Sequence, residues 1–320
     1  MTACADWRPS ATSEQLRARA AALARVRTFF AARGVLEVET PLLLHAAVTD
    51  VHLHSLSVQL GVGRRMFLQT SPEYAMKRLL AAGSGDIYQV CRVVRGGESG
   101  TLHNPEFTLI EWYRLGFALP RLMEEVETLV RELLGARLDA PTRRISYQQA
   151  FRAELGVDPL GASLAELAEA ARGLAPQGGQ LSRDEYLELL MALRVGPRLG
   201  AGGLTFVYGY PASQAALARL DPAAPGTAAR FELYAAGVEL ANGFHELADP
   251  LEQRRRFDAD NAERRRRGLP LIEPDVRLLA ALEAGLPDCA GVALGLDRLL
   301  LLASGARHLD EVLAFPSARA

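Results

Sequence analysis

Apolar positions recur at helical spacing from Ser13 to Ala32, with Leu16, Leu23, Val26 and Phe30 on one face and arginines elsewhere. Gly34 ends that predicted helix, and VLEVETPLLL follows as a strand closed by Pro41. A short strand covers Met66 to Leu68. A helix then starts at Ser71, Pro72 and Glu73, with Ser as N-cap and Pro in the first turn, and runs through EYAMKRLLAAG to Gly83. DIYQVCRVV alternates and is rich in β-branched residues, RGGESGT is a glycine-rich turn, and FTLIEWYRLGF is the return strand of a long hairpin. An amphipathic helix covers Pro120 to about Leu138, a charged helix Leu251 to Arg267, and a further helix Val276 to Ala284. GVALGLDRLLLLASG reads as a buried strand running into an apolar helix. The pattern predicts one domain over residues 1–320, with an inserted helical or cap region at about 140–226 where glycine and proline punctuate helical pieces.

A second hairpin carries the densest candidate chemistry. Phe231 to Tyr234 can turn through Ala235, Ala236 and Gly237 and return along Val238 to Asn242. An even-length turn sets Glu232 opposite Glu239, and two like charges so placed need a cation between them. Mg²⁺ is the hard ion that one or two carboxylates hold against phosphates. The plainer reading is two solvated acids on a sheet edge.

Composition narrows the classes. The apolar fraction of 49% and charged fraction of 23% are those of an ordinary globular protein, and a net charge of −2 excludes a globally basic nucleic-acid binder. Cys4, Cys91 and Cys289 form no metal-ligand spacing and suit a reducing cytoplasm. No apolar run reaches the ~18 residues of a membrane span, and the first residues lack a signal-peptide pattern. A soluble cytoplasmic protein is expected. Lys77 is the single lysine, so the arginine runs reflect a coding bias and carry less functional weight.

Four segments match one pattern in order: GVLEVETP after the first helix, CRVVRGGESGTLHNPEFTLIEWY, ELANGFHEL and GVALGLDRLLL. Together with SPEYAMKRLL they resemble the three motifs of the class II aminoacyl-tRNA synthetases, specifically the lysyl branch. Only about thirty residues precede the first motif, too few for an anticodon-reading OB-fold barrel. The resemblance therefore points to the truncated paralogues, the elongation factor P–lysine ligases. It implies an α+β fold, a class II synthetase-like antiparallel sheet flanked by helices, and a homodimer through the first motif. It also implies ATP-dependent activation of a lysine-type amino acid, with Mg²⁺, and transfer to a lysine of elongation factor P, an acidic protein; no tRNA and no membrane are expected.

By that resemblance Arg95 holds the α-phosphate and the incoming carboxylate, Arg298 reaches the γ-phosphate, and Phe107 stacks on adenine. His103, Asn104, Leu240 and Gly295 contact the nucleotide. Glu232 and Glu239 become Mg²⁺ ligands, Glu239 also touching ATP. A planar guanidinium suits both arginine tasks because it grips two oxygens at once. The family has Arg-x-Glu in the second motif, whereas this chain has Gly97 followed by Glu98, so a one-residue adjustment brings Glu98 or the backbone to the adenine amino group. Glu73, within Ser71-Pro72-Glu73, binds the amino group near the reacting carboxylate. Glu111, Tyr113 and Glu246 grip the distal ammonium and reject neutral side chains. Ala293 stands where lysyl synthetases have glycine; its methyl crowds an α-amino group, which favours (R)-β-lysine over α-lysine. The arginine runs 254–256 and 264–267 read either as a solvated face or as a dock for an acidic partner. Two alternatives stand beside this reading: ligation to tRNA, and a non-catalytic paralogue that binds ATP or lysine as a regulatory subunit.

Overall fold

The computed structural model describes residues 7–174 and 181–320; Cys4 lies outside them. In chain order the elements are α1 (Ser13–Ala31), β1 (Leu36–Glu37), β2 (Leu43–Leu44), β3 (Ser57–Gln59), β4 (Arg65–Leu68), α2 (Glu73–Ala81), β5 (Ile87–Val94), β6 (Glu106–Leu115) and α3 (Leu119–Leu134). Then follow β7 (Arg143–Ser146), α4 (Tyr147–Leu155), α5 (Leu164–Ala170), α6 (Arg183–Leu190), β8 (Leu204–Pro211), β9 (Thr227–Ala235) and β10 (Val238–His245). The last are α7 (Pro250–Arg266), α8 (Val276–Gly285), β11 (Cys289–Gly295) and α9 (Leu296–Ser304). The fold is α+β with a mostly antiparallel sheet, as expected. Among the described residues no helix is long and apolar enough to cross a membrane.

The chain divides into two units, the first made of residues 1–116, 248–288 and 293–320. Its strand order is β1-β5-β6-β11, with β1 parallel to β5 and β5 antiparallel to β6 from Ile87↔Tyr113 to Val94↔Glu106. A small antiparallel sheet, β2-β4-β3, lies beside it in sequence. Val26, Phe29 and Phe30 of α1 are buried, and Phe30 stacks on Tyr88 at 4.2 Å and meets Trp112 edge-on at 5.3 Å. Leu16, expected on that face, is 38% exposed, so the buried stripe is narrower than its spacing suggested. VLEVETPLLL is not one strand: only Leu36–Glu37 and Leu43–Leu44 are paired, into different sheets. Thr40 and Pro41 fall between them, and proline has no N–H to give a ladder.

One long-range tie fixes α1 in this unit. Arg19 is ion-paired with Asp297, which is 2% exposed and also accepts the Thr108 N–H at 2.7 Å. Arg19→Ala strands that buried carboxylate and is expected to cost about 3 kcal/mol, read as a lowered urea midpoint with an unchanged slope.

The second unit comprises residues 117–247 and 289–292, with strand order β11-β10-β9-β8-β7. Its core joins Tyr147, Phe151, Leu187, Leu190, Val195 and Val207. Ser146, Ser163 and Ser182 each close a capping box, which explains why α4, α5 and α6 hold although each is short. β9 and β10 are joined by a two-residue turn, Ala236-Gly237, with φ of 49° and 75°. That pair of left-handed residues is the turn whose twist matches a hairpin. A Cβ on Gly237 would come within 2.8 Å of the Pro197 carbonyl oxygen.

Candidate active site

In the first unit the acid-lined end is built by α2 and β6. Glu111 and Tyr113 lie two apart on β6 and so share a face. Glu111 is 2% exposed; it accepts the Ser71 hydroxyl and the Tyr113 hydroxyl, each at 2.7 Å. The helix begins one residue later than expected, at Glu73, and Ser71 acts from outside it by accepting the Glu73 N–H at 3.1 Å. Pro72 is the residue between. Glu73 accepts from the Lys77 ammonium at 2.7 Å, one turn along α2. Burial pushes the Glu111 carboxyl up to about 7, and Glu73 adds to this, while Ser71, Tyr113 and Lys77 oppose it. A buried acid with neutral donors on both oxygens is equipped to receive a cation.

The second cluster of this unit lies on the β5–β6 hairpin and the β11–α9 junction. Arg95 donates from Nε to the Thr70 carbonyl at 3.0 Å, stands 5.0 Å over the Phe107 ring, and has Glu98 at 3.7 Å. Phe107 is half-buried. Gly97 has φ of 80°, a conformation that glycine adopts without strain and that separates Arg95 from Glu98. Asn104 is engaged at both ends of its amide, donating to the Glu106 carbonyl at 2.6 Å and accepting the Ser317 N–H at 3.0 Å, so it braces the hairpin. Arg298, in the first turn of α9, donates to the Leu102 carbonyl at 3.2 Å and meets His103 Nε2 at 2.8 Å. Burial, then the Arg298 charge, lowers the His103 pKa, which keeps the imidazole a neutral acceptor. On β11, Ala293 and Gly295 are half-buried while Leu294 between them is core.

In the second unit the expected acid pairing is corrected. Glu232 faces Asn242 and Glu239 faces Tyr234, because the turn is two residues long and a bulge after Glu239 takes up Leu240. The acids share one face of the hairpin without standing opposite each other. Glu232, 7% exposed, accepts from Arg230 at 2.5 Å, Tyr234 at 2.6 Å and, more weakly, Asn242 at 3.4 Å. The cation beside Glu232 is thus the protein's own guanidinium. Glu239 is half-buried, Leu240 is 2% exposed, and Glu246, 4% exposed, donates its N–H to the Cys289 carbonyl. Among the described residues no three metal-binding side chains cluster.

The family model for class II tRNA synthetases (D, K and N) matches residues 2–319. The chain is 51% identical to the elongation factor P–(R)-β-lysine ligase of Vibrio vulnificus, with 98% of each chain covered. It is 50% identical to the Vibrio cholerae protein of that name, over 98% of this chain and 99% of the other, and 49% identical to the Klebsiella pneumoniae one over the whole of both.

The chain belongs to the class II tRNA synthetase family. Within that family it groups with the elongation factor P–(R)-β-lysine ligases.

Of the residues singled out from the class II motifs, the structure brings Ser71, Glu73, Glu111 and Tyr113 into one hydrogen-bonded set, and Arg298 together with His103. It also joins Arg95 to Phe107 and Glu98. Residues that sequence reasoning missed are Lys77, Arg19, Asp297, Arg230 and Tyr234. Alternation in RFELY, which sets Arg230, Glu232 and Tyr234 on one strand face, was the available signal for two of them. The arginine runs on α7 are largely self-neutralised. Arg255 and Arg256 pair with Glu252, Arg266 and Arg267 with Glu263, and Arg264 is buried against the Pro270 and Thr49 carbonyls. Hydrogen bonds from Arg255 and Arg266 are the first cause that holds Glu252 and Glu263 at about 2. Part of each run's positive charge is thus already matched by acids of the same helix.

Proposed function

We propose that this protein is an ATP-dependent ligase that activates a lysine-type amino acid as its adenylate and passes it to a lysine side chain of elongation factor P. The observation that carries the reading is the 49–51% identity, across 98–100% of each chain, with ligases named for that reaction. The buried Glu111, held by two neutral hydroxyls, supports it as the receptor for a substrate ammonium.

In the first step an oxygen of the amino-acid carboxylate bonds to the α-phosphorus of ATP as the bond to pyrophosphate breaks. In the second, a neutral ε-amine of elongation factor P bonds to the acyl carbon, the bond from that carbon to the AMP oxygen breaks, and AMP leaves as the nitrogen gives up one proton to solvent. Arg95 would neutralise the α-phosphate and Arg298 the γ-phosphate, with Phe107 supplying a stacking face and Glu98, Gly97, His103, Asn104, Leu240 and Gly295 the remaining nucleotide contacts. Glu73 would bind the amino group near the reacting carboxylate, Glu111 and Tyr113 the distal one, and Glu246 would add a further carboxylate. Glu239 and Glu232 offer hard oxygens on one face that fit Mg²⁺, Glu232 while also serving Arg230. That ion, when bound, supplies neutralisation of phosphate charge. Placement and charge neutralisation are most of what such chemistry asks of a protein.

The half-buried Ala293 supports (R)-β-lysine as the preferred isomer, and exposed Leu36 and Leu42 in the first motif support a homodimer. Residues 140–226 are proposed to serve as a cap region. Incubation with ATP, each lysine isomer and purified elongation factor P should add one aminoacyl mass to the factor and release AMP. Absence of ATP–pyrophosphate exchange with every isomer would overturn the reading, and exchange that prefers α-lysine would overturn the isomer assignment.

A further inference from the structure

Lys77 stands apart from every other basic residue. It is the single lysine among 36 basic side chains, and it is 1% exposed in α2. Its ammonium lies 2.7 Å from Glu73, whose N–H is held by Ser71, whose hydroxyl in turn is held by Glu111. Lys77 also acts on Glu111 directly, opposing the upward pull of burial on that carboxyl. The neighbouring Cys91 thiol is pushed up to about 12 by burial and contributes no charge at neutral pH. The acid-lined end of the first unit therefore carries an internal ammonium ion-paired with one of its two carboxylates.

A site that needs only to attract ammonium groups gains nothing from such a cation. Two acids without it would attract a diamine more strongly than a diamino acid, because the diamine carries two positive charges and no carboxylate. An ammonium beside Glu73 opposes a substrate amino group there in the amino acid and the diamine alike, and only the amino acid carries a carboxylate that the same ammonium attracts. We infer that Lys77 is a specificity-determining residue, whose buried ammonium favours a carboxylate-bearing diamino acid over the unreactive diamine of the same length. This rests on the function proposed above. A compact ammonium meets the requirement at a buried position better than a guanidinium, which brings five donors needing partners.

The test compares wild type, Lys77→Met and Lys77→Arg in ATP–pyrophosphate exchange, with KM for each lysine isomer and the inhibition constant of the diamine that matches its nitrogen spacing (1,4-diaminobutane for β-lysine, 1,5-diaminopentane for α-lysine) measured side by side. Loss of the cation in Lys77→Met should lower the ratio of diamine inhibition constant to amino-acid KM by about tenfold or more. Lys77→Arg, which keeps the charge, should hold that ratio within about twofold even if both constants worsen. Thermal melts report folding, and if the methionine variant does not fold, Lys77→Gln decides by the same ratio. Parallel changes of both constants in the neutral variant, or no change in either, would overturn the inference and leave Lys77 a structural residue. A wild-type protein that exchanges with no lysine isomer would instead bring down the functional reading, and this inference with it.

Discussion

Replacing Glu111 by glutamine should nearly abolish activation of any lysine-type amino acid while making the empty protein more stable at alkaline pH. The loss follows from burial: at 2% exposure, with its oxygens already taking the Ser71 and Tyr113 hydroxyls, this carboxylate can charge-balance an ammonium that water no longer reaches. Removing one partner of such a pair costs about 3–5 kcal/mol, or roughly two to four orders of magnitude in amino-acid kcat/KM. The gain follows from linkage. The Glu111 carboxyl is held up at about 7, mainly by burial and then by Glu73, so the folded empty protein binds a proton there that the unfolded chain releases near the ordinary value of 4.5. The stability this proton brings is complete below that ordinary value and is lost as pH rises through about 7. Glutamine titrates nowhere in this range, so the variant should escape that loss, which is at most about 3 kcal/mol. Urea unfolding at pH 5 and pH 8, with and without amino acid, reads both effects. A variant equally destabilised at the two pH values would sink the assignment.

Arg95→Ala should reduce adenylate formation by about 10³-fold or more, the scale of losing a guanidinium from a phosphoryl-transfer site. Arg95→Lys should recover little of it, because one ammonium cannot grip two oxygens in a plane. The native side chain is held on three sides, by the Thr70 carbonyl, the Phe107 ring and Glu98. A merely structural arginine would show its loss in thermal stability and leave the exchange rate of the surviving folded protein intact. Pyrophosphate exchange normalised to folded protein separates the two outcomes.

Much of the fold could be read from local strings. The helix at Glu73, the β5–β6 hairpin and the run of β11 into α9 each announce themselves through spacing, turn chemistry or an apolar run within about a dozen residues. The register of the second hairpin could not be read, because the turn falls at Ala236-Gly237, which moves the partner of Glu232 two places on from Glu239, and a bulge without a sequence marker moves it one more, to Asn242. Partnerships across long stretches of chain were equally hidden. Arg19 and Asp297 are 278 positions apart, and nothing in either neighbourhood names the other. Lys77 was visible as an oddity of composition, but its burial and its bond to Glu73 are facts of packing. The Arg230–Glu232 pair shows how a pattern can prompt the right question and the wrong answer: two acids at seven-residue spacing did need a positive neighbour, and the chain supplies its own.

The burial of the lone lysine has one more effect. A protein proposed to make an activated acyl group destined for an amine is surrounded by the highest local concentration of that group. Guanidinium side chains stay protonated at any physiological pH and are poor nucleophiles. With every other basic side chain an arginine and Lys77 sealed inside α2, the outer face offers no side-chain amine to its own reactive product.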